Sequence, residues 1–269
     1  LFFSADTTNG EKELAYILEL ETKLERDDLV KKLVEAFYSA GNRIAGTTTL
    51  ISLNTRQPDI FYEARLVEEF YGYRDLDLIT KYLGHLKSRT KKELPVKTVE
   101  AKEFKAMLKR VLVQFDTESQ SNLNYKKPLL DLIDSYLVFY PQDELRVKLQ
   151  QGWLKAEDDL TKKLLKLGLW IKEDSLFKTN IKHIRKLRQT RLSLAQKLKN
   201  DAIIIEEAKA LSVLLKNTNE EREFRYILAH KYYKQKKFDL SEPIFTQLAQ
   251  VGMSQVDKWA IQSQHLVLD

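Results

Sequence analysis

Residues 226–245 read YILAHKYYKQKKFDLSEPIF. In and just after this stretch, apolar or small side chains fall at Leu228, Ala229, Tyr232, Phe238, Ser241, Phe245 and Leu248. Positions three and four apart share one side of an α-helix, so the first three define one helical face and the last four the facing stripe of a second helix. The pattern returns earlier in the chain at Leu194, Ala195, Leu198, Ile204, Leu211 and Leu214, with Glu207 breaking it where Ser241 stands. A second step back of the same length gives Leu160, Leu164, Trp170 and Phe177. Near the start of the chain the same spacing reads Leu66, Phe70, Leu76, Ile79, Leu83 and Leu86, and one step before that Leu33, Phe37, Gly46, Leu50 and Leu53, with Arg43 the misfit. A period of about 34 residues predicts stacked helical hairpins, each burying its apolar stripe against its neighbours.

The spacing of Leu228-Ala229, Tyr232, Phe238 and Phe245 resembles the tetratricopeptide family. The resemblance implies an all-α, right-handed α-solenoid of helical hairpins. Two departures stand out: Lys236 occupies the inter-helix turn where the family has glycine, and Met253 the place of a closing proline. Trp259, one full period after Arg225, stands where the family often carries tryptophan. The resemblance further implies that the first helix of each hairpin lines a concave groove and touches a ligand through five positions. These are Glu223, Tyr226, His230, Tyr233 and Lys234 in the 222–255 copy, and Gln189, Leu192, Gln196, Lys199 and Asn200 in the preceding one. The copy anchored at Leu66 offers Phe61, Ala64, Glu68, Tyr71 and Gly72. The family's carboxylate clamp for chaperone C-termini is not matched by these residues. A tyrosine-rich groove suits an extended peptide, because tyrosine offers area and a hydrogen bond at low entropic cost.

Composition supports helix throughout. Eight glycines and five prolines in 269 residues are too few for a turn-rich β protein, and Leu, Lys, Glu, Gln and Ala are good helix formers. The expected organisation is a signal-like or disordered end at 1–10, hairpins over 11–94, divergent helical hairpins over 95–156, and further repeats over 157–269, the last one cut short. Pro95 and the SQSNLN stretch at 119–124 punctuate the middle, predicting helices near 99–118, 127–140 and 143–156. The opening LFFSAD reads as the tail of a secretory signal, which gives a periplasmic or secreted location as the expectation and the cytoplasm as the alternative. More repeats, or another domain, are expected to follow Asp269. The chain has no cysteine, which excludes disulfides, thiol nucleophiles and cysteine-ligated zinc. No run of 18 apolar residues is present, so no membrane span is expected.

The net charge of +6 is unevenly spread. Between Asp174 and Asp201 there is no acidic residue, while Lys178, Lys182, Arg185, Lys186, Arg188, Arg191, Lys197 and Lys199 supply eight positive charges. Lys182, Arg185, Lys186 and Arg188 form the candidate anion site of this run; the competing reading pairs the run with Glu157, Asp158, Asp159, Glu206 or Glu207 on adjacent helices. Nucleic acid is not the expected partner, since the run lacks interleaved aromatics. No catalytic constellation is found. His85, His183, His230 and His265 are far apart and never in metal-ligand spacing, and the acidic pairs Asp158-Asp159 and Glu206-Glu207 are read as solvated. No cofactor or metal is expected, and the chain is read as a non-enzymatic scaffold for a protein or peptide partner in a bacterial envelope complex. The alternatives are the α-superhelix that precedes the catalytic domain in lytic transglycosylases, a family of cell-wall hydrolases, and an anion-binding helical module that uses the basic run. Glu118-Ser119 resembles that domain's Glu-Ser pair but is read as lying in a polar linker without the family motif.

Overall fold

A computed structural model describes residues 15–17, 19–20, 29–95, 97–178, 180–250 and 258–268. The LFFSAD run and Met253 lie outside the described residues. The described residues are all-α, with no strand among them. The chain divides into two compact units, 1–156 and 157–269. The first contains α1 (Leu29–Ser39), α2 (Arg43–Arg56), α3 (Ile60–Tyr73), α4 (Leu76–Ser88), α5 (Thr98–Ser121), α6 (Lys126–Phe139) and α7 (Arg146–Ala156). The second contains α8 (Leu160–Leu176), α9 (Ile181–Lys197), α10 (Asp201–Leu214), α11 (Asn219–Lys234), α12 (Phe238–Gln250) and α13 (Lys258–Leu268).

Where the spacing template places apolar positions, the structure buries most of them. Leu33, Phe37, Leu50 and Leu53 close the α1–α2 hairpin; Leu66, Phe70, Ile79, Leu83 and Leu86 close α3–α4; Leu228, Ala229, Ser241, Phe245 and Leu248 close α11–α12. Two positions of the last copy are exceptions: Tyr232 is only partly buried, and Phe238 lies half exposed at the first residue of α12. At the place of Ser241, the first copy has Gly46, where an added Cβ would lie only 3.1 Å from the Tyr38 ring.

A shared turn follows the first helix of these hairpins. Gly41, Arg74 and Lys236 each stand at the same distance after the anchoring leucine, and each has left-handed backbone, with φ of 78°, 58° and 59°. In each case the next residue donates its N–H back into the helix: Asn42 to Phe37 O, Asp75 to Phe70 O and Lys237 to Tyr232 O, at 2.9, 3.1 and 2.9 Å. These bonds satisfy carbonyls that the helix end would otherwise leave open. The glycine expected from the family resemblance is therefore replaced by lysine at Lys236 without loss of the turn. Lys199 makes the same turn between α9 and α10, with Asn200 donating to Ala195 O at 2.9 Å. It comes sooner after its anchor, Leu194, and α10 starts correspondingly sooner.

Two expectations need correction. The copy anchored at Leu160 has no turn of its own, because Leu160 through Trp170 run inside the single continuous helix α8. No glycine, asparagine or proline interrupts that stretch to terminate it except Gly168, and Gly168 sits against the Arg191 side chain as a close-packing position. The middle region, too, is more continuous than the polar stretch at 119–124 suggests: α5 runs to Ser121, and a short 3-10 turn at Leu123–Tyr125 leads straight into α6.

Within the first unit, α3 packs on α5 and α4 on α6, besides the contacts between chain neighbours. Rings fill these seams: Phe70 stacks on Tyr82 at 5.6 Å, Tyr71 meets Phe115 at 5.8 Å, and Phe104 meets Phe139 at 5.8 Å. Within the second unit each helix packs on the next from α8 to α13, and α11 also touches α13. Side-chain caps from Asn42, Asp59, Asp75, Asp159, Asn180 and Asn200 start six of the helices, each contributing about 1 kcal/mol.

Candidate functional site

Of the candidate groove residues of the C-terminal unit, Tyr226 and His230 are brought into contact on α11. The Tyr226 ring stacks nearly parallel on His230 (5.8 Å, 13°), lies 5.0 Å from Trp259 on α13, and meets Phe245 on α12 at 5.8 Å. Position 230 is one helical turn after 226, and α13 brings Trp259 alongside, so α11 and α13 jointly present a partly exposed aromatic shelf. Lys258 sits over the Trp259 ring at 4.2 Å. Burial pushes His230 below its ordinary pKa, with the ammonium groups of Lys234 and Lys231 adding to the shift; burial also raises the Tyr226 phenol. The histidine is thus favoured as a neutral imidazole, which stacks on a phenol ring without the desolvation penalty of a cation.

Tyr233 lies between Phe238 (5.5 Å) and Phe245 (6.4 Å), so it supports the hairpin from within as well as facing outward. Glu223 and Lys234 are exposed. The ring partners of Phe245 are Tyr226 and Tyr233. In the preceding copy Gln196 and Lys199 are exposed at the α9–α10 turn, where Lys199 donates its N–H to Gln196 O, while Leu192 is buried.

The expected groove of the first unit is partly covered. Tyr71 packs between Phe115 and Tyr125, and its hydroxyl donates to Glu118 at 3.2 Å. Glu68 takes both guanidinium N–H groups of Arg110, at 2.7 and 3.0 Å. Ala64 is buried. α5 lies on this face of α3, which corrects the expectation that Tyr71 lines an open groove; nothing in the pattern of α3 itself reveals which helix covers it. Phe61, at the start of α3, instead lines a separate cleft.

The basic run separates into two kinds of residue. Arg188 donates to Glu207 at 2.8 Å, and Arg191 reaches both Glu207 and Glu206, the latter at 2.9 Å. Arg185 pairs with Glu220. Lys182 and Lys186 are exposed and carry no ion pair with any described residue. The reading of Glu207 as a solvated carboxylate is corrected, since its side chain has no exposed surface. The break it makes in the apolar template is the sequence signal of a buried ion pair.

Glu118 lies in the last turns of α5, not in a linker. Its hydrogen bond from Arg74 holds the carboxyl below the usual carboxylate range, and that from Tyr71 adds to the effect. Among the described residues, no three His, Asp or Glu side chains converge to hold a metal ion, and no helix is long and apolar enough to cross a membrane. No protein-family model and no curated protein matches the sequence.

Proposed function

We propose that this chain is a non-catalytic scaffold of tetratricopeptide-like hairpins, stacked as a right-handed α-solenoid, that holds an extended protein or peptide segment on the shelf formed by Tyr226, His230 and Trp259. Support for the repeat comes from the turn shared by Gly41, Arg74 and Lys236 at one distance from their anchors. The observation that carries the binding reading is the shelf itself: the His230 and Trp259 rings stand 5.8 and 5.0 Å from Tyr226, on consecutive first helices and partly open to solvent. Rigid aromatic groups that keep some exposure bury large areas on a ligand at little entropic cost. A hydrolase reading draws less support, because an ion-paired Glu118 with a depressed pKa is a poor general acid. An anion site built from four residues draws less as well, because Arg185 and Arg188 are already neutralised. A periplasmic or secreted setting belongs to the same proposal and rests on the LFFSAD run, with which the lack of cysteine is compatible.

Selection from a displayed library of random linear peptides tests this. Enriched peptides should bind the wild-type chain and lose at least about tenfold in affinity, or about 1.4 kcal/mol, on His230→Ala and Trp259→Ala, with melting temperatures little changed. Enrichment of no peptide, or of peptides indifferent to both substitutions, would overturn the reading.

A further inference from the structure

Phe61, expected in a groove, lines a cleft of about 320 Å³ in the first unit, between α1, α2, α3 and the start of α5. Its inner wall is apolar: Val34, Leu50, Leu53 and Phe61 face it, and the first three are almost fully buried. Its rim is acidic. Glu35, Asp59, Glu93, Glu100 and Glu103 stand around it, with Arg65 the one cation among the described lining residues.

The rim carboxylates are unequally engaged. Glu35 is paired with Arg65, and Glu93 with Arg89 at 3.0 Å. Asp59 accepts the N–H of Phe61 as the cap of α3, which leaves its charge uncompensated by any cation among the described residues. Glu100 meets Lys97 only loosely, at 3.4 Å between exposed groups, and Glu103, though near enough to Arg110 for its charge to act there, makes no direct ion pair with a described residue. The cleft is thus a local excess of negative charge on a chain whose net charge is +6, above walls that water solvates poorly.

Lysine and arginine are the side chains with an aliphatic stem suited to such walls and a cationic head suited to such a rim. At about 320 Å³ the cleft is too small for a folded domain and roomy enough for one such side chain. We propose that this cleft receives a lysine or arginine side chain from an extended segment of a partner protein, its stem against Leu53 and Phe61 and its head at Glu100 and Glu103. This site is independent of the aromatic shelf.

The test uses the full chain and a fluorescein-labelled peptide, Gly-Lys-Gly-Arg-Gly-Lys-Gly, followed by anisotropy; the probes for comparison are the same peptide with both lysines acetylated and arginine replaced by citrulline, and its all-glutamate counterpart. The basic peptide should bind, the two others should not, and Glu103→Lys should weaken binding about tenfold and flatten its salt dependence. Glu242→Lys on α12 changes net charge equally and should have no effect beyond a small uniform one. Phe61→Ala should weaken binding of the basic peptide while the melting transition persists. The proposal is overturned if the wild-type chain does not bind the basic peptide, if the neutralised peptide binds as well, or if Glu103→Lys and Glu242→Lys act alike.

Discussion

Arg188 donates to Glu207 across the α9–α10 seam at 2.8 Å, and the carboxylate it holds is completely buried. Arg191, itself only 12% exposed, shares that carboxylate. Taking an ion pair out of water is unfavourable, so the pair need not contribute more than an apolar pair would, but breaking it strands a charge. Glu207→Ala leaves two guanidinium groups close together with only the exposed Glu206 opposite. It should lower the unfolding free energy by about 3–5 kcal/mol in urea titration. Arg185→Ala, which removes a more exposed pair with Glu220, should lower it by about 0–1 kcal/mol. Equal effects from the two substitutions would show that Glu207 is solvated after all.

Phe245 is the buried support of the shelf, with 1% of its surface exposed and Tyr226 and Tyr233 as ring neighbours. Phe245→Ala opens a cavity under both and should destabilise the chain by about 3–5 kcal/mol. Phe245→Leu keeps most of the volume and should cost less than about 1.5 kcal/mol. If the alanine variant loses under about 1 kcal/mol by the same measurement, well below the range for such cavities, the α11–α12 packing described above is wrong.

The left-handed turn residues separate backbone preference from side-chain contact. Around Gly41 nothing lies within 4 Å of where a Cβ would be, so Gly41→Ala reports the backbone alone and should destabilise by about 1–2 kcal/mol. At Lys236, exposed and with φ of 59°, the reverse change relieves the same strain. Lys236→Gly should therefore raise the unfolding free energy by about 0.5–1 kcal/mol, the gain in turn conformation being partly offset by the freer unfolded chain. A destabilised Lys236→Gly variant would show that the lysine side chain holds something the turn needs.

The apolar spacing was enough to locate the α3–α4 and α11–α12 hairpins, because burial of Leu66, Phe70, Leu83 and of Leu228, Ala229, Phe245 is what makes them pack. It misplaced the copy at Leu160, where leucines recur so densely that any helical register fits and only the missing turn residue distinguishes one long helix from two short ones. Ring packing was legible at Tyr226 and His230, which lie one helical turn apart on α11. It was not legible at Tyr71, because the helix that covers it begins well downstream, at Thr98, beyond the whole of α4, and carries no mark of its destination. Of the basic run, charge pattern alone cannot separate Arg188 from Lys186; the carboxylate that neutralises Arg188 sits on the next helix, and burial of Glu207 is visible only as an interruption in an apolar stripe.

His230 gives the shelf a pH dependence with a definite sign. Burial against its neighbours lowers its pKa from the ordinary 6.5, and Lys234 and Lys231 lower it further. A histidine whose folded pKa lies below its unfolded value binds a proton less readily in the folded state, so folding is disfavoured by acid. Its contribution is fully present above pH of about 6.5 and is lost as the pH falls through the lower folded value. The unfolding free energy of wild-type chain minus that of His230→Gln should therefore be flat above neutrality and decline from about pH 6.5 downward. NMR titration of the His230 ring Cε1–H should place its midpoint below 6.5. Peptides held on the shelf should dissociate over the same interval, because a protonated imidazole regains a hydration shell that stacking on Tyr226 and a bound ligand would both have to strip. A midpoint at or above 6.5, or a difference curve that rises toward acid, would contradict the placement of His230 against Tyr226 within reach of the charges of Lys231 and Lys234.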